Sequence, residues 1–135
     1  MPPDDKETST MVRSDGTYAS LPLKKDTISI TIAQTRVNGV DGKNPAKDIK
    51  NNLDYMLECI DIAQGYGGRS DLICFHEFPI VGFSNWSRED HYRIAIEVPG
   101  PETEEIGKKC QDYGCYIVFG TYAKDPDWPD HILHL

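Results

Sequence analysis

A short apolar run at residues 71–75 constrains this chain more than any other feature. After Asp71 the residues are Leu, Ile, Cys and Phe, so apolar side chains fall on both faces of the strand that the run predicts. Burial on both faces is typical of an interior strand in a parallel sheet covered by helices. The run therefore predicts a central strand of an α/β domain.

A strand pattern and a helix pattern precede this run. Residues 27–36 are rich in β-branched side chains, and their alternation places Ile28, Ile30 and Ile32 on one face of a first strand. Gly, Asn and Asp turn residues follow, and one apolar helical face then extends to a stop at Gly65. The apolar residues of that face are Ile49, Leu53, Met56, Leu57, Ile60 and Ala63. A strand, a turn and an amphipathic helix form the first half of a βαβ unit.

Further strand and helix patterns follow the apolar run at residues 71–75. Residues 78–92 predict a long irregular loop of the kind that borders a site, and residues 94–98 predict a short strand. Residues 101–113 predict a second helix that opens on a proline and is closed by a glycine, and residues 115–123 predict a third strand. Residues 131–135 begin a further apolar strand, so we expect the architecture to be incomplete. The order of elements predicts a mainly parallel sheet with right-handed crossovers.

Length and composition indicate the class of protein. The 135 residues are enough for one domain, and their 39% hydrophobic content contains no run long enough to span a bilayer. The net charge of −8 argues against nucleic acid as a partner, because such binding depends on clustered Lys and Arg. Residues 1–26 are polar and lack the apolar core of a secretory signal, which predicts a flexible lead-in and a cytoplasmic protein.

The chain contains four cysteines and four histidines, which are candidate reactive thiols and metal ligands. Cys59, Cys74, Cys110 and Cys115 lie inside periodic segments without C-x-x-C pairing, so we expect reduced, mostly buried thiols. The His131-x-x-His134 spacing suits one metal ion if it lies on a helix. His76 or His91 would then be a third ligand, and ordinary surface or core histidines are the alternative.

Glu77 is the candidate catalytic residue. It stands two positions past the apolar run and immediately before the long loop. In open α/β sheets the ligand crevice lies at the carboxyl ends of strands, so a carboxylate there is in the right place for acid and base chemistry. A solvated acid at a strand end is the alternative. The loop aromatics Phe83, Trp86 and Tyr92 are either pocket walls or anchors that pack on the sheet.

Residues 71–83 match a family motif. An apolar strand leads into Glu77, and the pair Gly82 and Phe83 follows. This pattern resembles the segment around the first catalytic residue of the nitrilase superfamily of carbon-nitrogen hydrolases. His76 departs from it, because the family usually has proline before the glutamate.

The resemblance continues beyond this motif. Residues 98–103 and 113–120 resemble the family's second helix and following strand, in the right order. Altogether the resemblance covers about residues 27–122 and looks closest to the aliphatic amidase and N-carbamoyl hydrolase branches.

The resemblance implies a fold and a mechanism. The fold would be the N-terminal half of the four-layer αββα sandwich, a partial domain over residues 27–135 that is truncated at its C-terminus. A cysteine thiolate would attack a small amide or carbamoyl compound, with Glu77 as general base or proton acceptor and a lysine on the developing oxyanion. In the family that lysine and cysteine follow a segment equivalent to Tyr122, so we expect this chain alone to be inactive.

The resemblance also bears on cofactors and partners. It implies no metal and no organic cofactor, a small-molecule amide substrate, no membrane and no nucleic acid. Subunits in the family commonly pair, which implies a homo-oligomer. A competing hypothesis from another class is a non-catalytic α/β interaction domain, whose unpaired sheet edge would recruit another chain or aggregate.

Overall fold

The computed structural model of the chain describes residue 15, residues 25–66 and residues 68–135. The flexible lead-in predicted for residues 1–26 lies almost entirely outside these residues. Within the described chain, strands and helices alternate as far as β4, and two further strands follow it. In chain order they are β1 Ile30–Ala33, α1 Ala46–Gly65, β2 Leu72–Phe75, α2 Arg88–Ile94, β3 Ile96–Glu97, α3 Pro101–Tyr113, β4 Tyr116–Val118, β5 Tyr122–Lys124 and β6 Leu133–His134.

The first sheet consists of β1, β2 and β4, and both pairs of neighbours are parallel. β2 lies in the centre, with Ile73 beside Thr31 of β1 and Ile117 of β4. The Ile73 side chain is fully buried, because α1 and α3 pack over this face and against each other. The structure therefore confirms the α/β fold class with a parallel sheet and the central position of the apolar run.

The opposite face of this sheet, here called the open face, is largely exposed to solvent. Its exposed apolar residues are Ile28, Ile30, Ile32, Tyr116 and Val118. Leu72 and Cys74 of the central strand are half-buried on this side. The prediction that helices cover both faces of β2 is therefore wrong for the described chain, because α1 and α3 both lie on the other face.

A second sheet consists of β3, β5 and β6, with β3 parallel and β6 antiparallel to β5. The single strand predicted for residues 115–123 is wrong, since the chain leaves the first sheet after Val118 and enters the second at Tyr122. Gly120 lies at this break and packs against the backbone of Glu77. A Cβ atom at Gly120 would lie 2.5 Å from the Glu77 carbonyl oxygen. The break in the run of β-forming residues 115–123 therefore lies where the Gly120 and Glu77 backbones approach closely.

Both predicted long helices are confirmed. α1 ends at Gly65 as predicted, and Ile49, Met56 and Ile60 of its apolar face are buried. α3 begins at Pro101, where the missing proline N–H costs no helical hydrogen bond, and ends at a glycine in the left-handed region. Among the described residues, no helix is both long and apolar enough to cross a bilayer.

The loop predicted for residues 78–92 contains a helix at its end. α2 begins after Ser87, whose hydroxyl accepts a hydrogen bond from the Asp90 N–H at 3.1 Å. Serine followed three residues later by an acidic residue is a helix-start signal, which the sequence analysis passed over. The short strand predicted for residues 94–98 is present as the two-residue β3, and the further strand predicted at residues 131–135 is present as β6.

Candidate active site

Glu77 lies two residues past β2, at the carboxyl edge of the first sheet. The connection from β4 to β5 passes beside it, and the Gly120 N–H donates a hydrogen bond to the His76 carbonyl oxygen at 3.4 Å. The Glu77 side chain is 59% exposed, so a solute can reach its carboxylate. The structure thus has a reachable carboxylate at the strand end, and the general-base role of Glu77 stays a prediction.

His134 of β6 contacts this carboxylate. Its Nε2 lies 2.9 Å from Glu77 Oε1, and the two side chains are 50% and 59% exposed. Exposed ion pairs contribute about 0.2 to 1 kcal/mol, so this contact is weak enough for another partner to replace it. Sequence analysis considered His134 as a metal ligand, and the pairing with Glu77 was not foreseen because 57 positions separate the two in the chain.

Stacked rings surround this contact. Phe78, the residue after Glu77, stacks on Tyr122 and on His134, with ring centroids 4.8 Å and 5.5 Å apart. Phe83 also stacks on Phe78, with ring centroids 5.5 Å apart. Such contacts contribute about 0.5 to 1.5 kcal/mol each beyond the apolar area they bury. The aromatic contacts therefore hold β5, β6 and the loop after Glu77 together more strongly than the contact between Glu77 and His134 does.

The three loop aromatics proposed as pocket walls or anchors occupy different positions. Phe83 is 65% exposed and stacks on Phe78, the residue after Glu77. Trp86 donates its indole N–H to the Val40 carbonyl oxygen at 3.3 Å, which is the contact of an anchor. Tyr92 lies on α2 beneath Lys124, whose Nζ is 5.8 Å from the ring centroid. The contacts of Trp86 and Tyr92 thus favour the anchoring alternative.

His76 fixes the backbone on both sides of the turn into Glu77. Its Nδ1 accepts a hydrogen bond from the Phe78 N–H at 3.2 Å, and its Nε2 lies 3.0 Å from Thr35 Oγ1. Because Nδ1 accepts, a neutral ring carries its proton on Nε2 and donates it to Thr35. Burial lowers the pKa of His76, which favours this neutral form. At the position where the family usually has proline, an imidazole therefore restrains the chain.

A buried amide on α1 holds the loop after Glu77, and sequence analysis missed it. The Asn52 Nδ2 donates to the carbonyl oxygen of Ile80 at 2.9 Å and lies 3.4 Å from that of Asn38. Asn52 is 3% exposed, so losing its hydrogen bonds would cost about 1 to 3 kcal/mol. Its position on the apolar face of α1, between Ile49 and Met56, was the available signal.

The alternative metal site at His131 and His134 finds no support in the geometry. His131 follows a turn and His134 lies on a strand, so the helix that their spacing requires is absent there. His131 Nδ1 lies 3.0 Å from the Pro129 carbonyl oxygen, while His134 pairs with Glu77. Within the part of the chain that the structure describes, no three His, Cys, Asp or Glu residues cluster as metal ligands.

The four cysteines are all free and lie in the positions that the pattern predicted. Cys115 is buried and the other three are half-buried, so the expectation of mostly buried thiols is met in full only at Cys115. Burial raises the pKa values of Cys59 and Cys110, which keeps both thiols protonated at neutral pH. Neither has the electropositive setting of an activated nucleophile.

A cavity of about 530 Å³ opens elsewhere, between the starts of α1 and α3 and the strand β3. Its charged lining includes Lys50, Arg93, Glu97 and Lys124, and Glu77 does not line it. The cavity and the carboxylate at the strand end are therefore separate features. The position of Glu77 is the better guide to chemistry, because it combines a reachable carboxylate with the ligand-binding edge of a parallel sheet.

The fold and the site together define an α/β domain with a carboxylate at the carboxyl end of its central parallel strand. The family model described as carbon-nitrogen hydrolase matches residues 29–132. The chain belongs to this family of the nitrilase superfamily, as its strand order and the motif around Glu77 indicated.

Two curated relatives are similar to part of the chain. They are the proteins named formamidase from Bacillus cereus strains B4264 and ATCC 14579, each 31% identical over 83 residues. The alignment covers 59% of this chain and 24% of each relative. The chain thus spans about a quarter of the length of the curated relatives that it matches.

Proposed function

We propose that the chain provides the general base of a thiol amidase, a carbon-nitrogen hydrolase for a small non-peptide amide or carbamoyl compound. The observation that carries this proposal is the exposed Glu77 carboxylate at the end of the central strand, in a chain that matches the carbon-nitrogen hydrolase model. The similarity to two formamidases supports a small amide as the substrate class. We expect an assembled enzyme to be a cytoplasmic homo-oligomer.

In this mechanism Glu77 moves protons. It takes the proton of a cysteine thiol, the thiolate attacks the amide carbon, and Glu77 then protonates the leaving ammonia. In the second half of the reaction Glu77 activates a water molecule that hydrolyses the thioester. A lysine stabilises the oxyanion in both halves. We propose that this lysine and this cysteine come from outside residues 1–135, so that the 135-residue chain alone is inactive.

His134 affects the proton transfer to Glu77. Because it is within hydrogen-bonding distance of Glu77 Oε1, it competes with any incoming donor for that oxygen. The contact is half-exposed and weak, so a thiol or water molecule can displace it at small cost. A substrate-bound form would therefore have the Glu77 carboxylate released from His134.

The test measures ammonia release from formamide and other small amides. The polypeptide encoded by the complete reading frame is compared with its Glu77→Gln variant and with the 135-residue chain. We expect the variant to lose activity by about 10²-fold to 10⁴-fold, because its amide cannot accept a proton. Glu58→Gln, which changes an exposed carboxylate on α1, is the matched control and should retain full activity. Full activity of Glu77→Gln, or thiol-dependent hydrolysis by the 135-residue chain, would contradict the proposal.

The open face supports a second candidate function, a non-catalytic interaction domain. Exposed apolar patches of this kind mark surfaces that bind another chain. A 135-residue chain that is monodisperse and unfolds cooperatively would favour this function. Aggregation or a molten state would favour the partial enzyme, because both indicate that the open face needs a cover.

A further inference from the structure

Two cysteines lie together at the junction of α3 and β4, away from Glu77. Cys110 is in the last turn of α3, and Cys115 immediately precedes β4. Gly114 ends the helix with φ 62° and ψ 44°, the left-handed conformation that glycine adopts without a steric penalty. The chain therefore reverses direction between the two cysteines within four intervening residues.

The hydrogen bonds at this helix end are those of a Schellman motif. The Cys115 N–H donates to the Cys110 carbonyl oxygen at 3.0 Å, and the Gly114 N–H donates to that of Gln111 at 3.3 Å. This motif usually brings an apolar side chain just past the helix against one in its last turn. In this chain both of those positions are cysteine.

The side chains of Cys110 and Cys115 pack on the same hydrophobic core. Cys115 belongs to the hydrophobic core and is 7% exposed, while Cys110 packs against the same core and is half-buried. The Cys115 thiol is close enough to contribute, after burial, to the raised pKa of the Cys110 thiol. A shallow cavity of about 410 Å³ borders the pair and is lined by both cysteines, Gly114 and Tyr116. A small reagent can thus approach the two cysteines through this cavity.

We propose that Cys110 and Cys115 form a redox-modification site. Small thiol-oxidising agents, such as low-molecular-weight disulfides, convert the two thiols to an intramolecular disulfide. The Cys110 thiolate attacks one sulfur of the small disulfide, whose S–S bond breaks and releases one small thiol. The Cys115 thiolate then attacks Cys110 Sγ in the mixed disulfide, the new protein S–S bond forms, and the second small thiol leaves. The pair loses two electrons and two protons, and the added disulfide is reduced to two thiols.

The surroundings of Cys110 set the conditions for this reaction. Burial and the adjacent Cys115 raise the pKa of Cys110, so its reactive thiolate becomes more abundant as the pH rises. Closure should therefore be slow at neutral pH and faster in alkaline buffer. Once closed, the bond would tie the end of α3 to the start of β4.

Tryptic peptide mapping detects the disulfide directly. The reduced chain is incubated with glutathione disulfide, blocked with iodoacetamide and digested with trypsin. Cys110 and Cys115 share the peptide of residues 110–124, whereas Cys59 lies on residues 51–69 and Cys74 on residues 70–88. We expect the shared peptide to be unalkylated and lighter by two hydrogen atoms, with Cys59 and Cys74 still alkylated.

Variants and denaturant test whether the fold creates the site. Cys110→Ser or Cys115→Ser should abolish the closed peptide, while the double change Cys59→Ser with Cys74→Ser should leave it intact. The equilibrium constant for closure should be at least about tenfold larger in native buffer than in concentrated urea. Equal alkylation of all four cysteines after oxidation, or closure no more favourable in buffer than in urea, would overturn the proposal.

Discussion

His76 restrains the Glu77 backbone through both ring nitrogens, one accepting from the Phe78 N–H and one contacting Thr35. A protonated ring cannot accept the amide hydrogen, so the contact with Phe78 depends on the neutral form. Burial lowers the pKa of His76 from its ordinary value of 6.5. The turn into the candidate base is therefore sensitive to acid.

The sign of the pH effect follows from this lowered pKa. As the pH falls below 6.5, the unfolded chain protonates His76 first, so the free energy of unfolding decreases until the folded state also titrates. We expect His76→Asn to lose less stability than the wild type between about pH 7.5 and about pH 5, because asparagine does not titrate. Urea unfolding at both pH values measures this, and His131→Asn is the exposed-histidine control. Equal losses in wild type and His76→Asn would show that another group causes the acid sensitivity.

Sequence reasoning placed Glu77 at the end of the central strand, because an apolar run followed by a carboxylate and a loop is a local pattern. It did not find the contacts that Asn52, His76 and His134 make around that site. Three of these contacts join residues at least 28 positions apart: Asn52 with Ile80, His76 with Thr35, and His134 with Glu77. Their formation depends on how the elements pack, which local spacing does not encode.

At the scale of elements, the break between β4 and β5 shapes the candidate site. Both strands have β-forming residues, yet they belong to different sheets. Gly120 lies in the connection, and its backbone packs where a side chain would meet Glu77. The absence of a side chain at this position is therefore a structural requirement for the strand switch.

Two glycine substitutions test this requirement with opposite expected signs. Gly120→Ala should lower the free energy of unfolding by about 1 to 3 kcal/mol, because its Cβ would lie 2.5 Å from the Glu77 carbonyl oxygen. Gly107→Ala in α3 has open space around its new Cβ and should raise stability by up to about 1 kcal/mol through helix propensity. Urea unfolding of both variants measures these changes in the free energy of unfolding. A Gly120→Ala variant as stable as the wild type would show that the connection can move away from Glu77.

The first sheet as a whole is covered by helices on one side within the part of the chain that the structure describes. Helices α1 and α3 bury one face, while Ile30 and Ile32 on the open face are 50% and 72% exposed. A contiguous apolar sheet face in water is a site of association. The described chain therefore has a surface that favours contact with further polypeptide.

Substitution on the open face should reduce self-association of the 135-residue chain. Ile32→Thr keeps the β-branched shape of a strand residue but removes apolar surface, so we expect a lower sedimentation-derived mass at the same concentration. Ile62→Thr, at an isoleucine of α1 that is 53% exposed, is the matched control and should leave association unchanged. A monodisperse wild-type chain, or equal effects of the two variants, would argue against association through this face.

Sequence patterns predict the central strand, both long helices, the glycine that ends α3 and the position of Glu77. These features follow from side-chain periodicity, capping residues and backbone preferences, which act over a few neighbouring residues. The tertiary structure alone decided the split between β4 and β5, the pairing of Glu77 with His134 and the face of the first sheet that is covered. Periodicity shows which side chains share a face, but cover and contact depend on elements that are distant in the chain and meet only on folding.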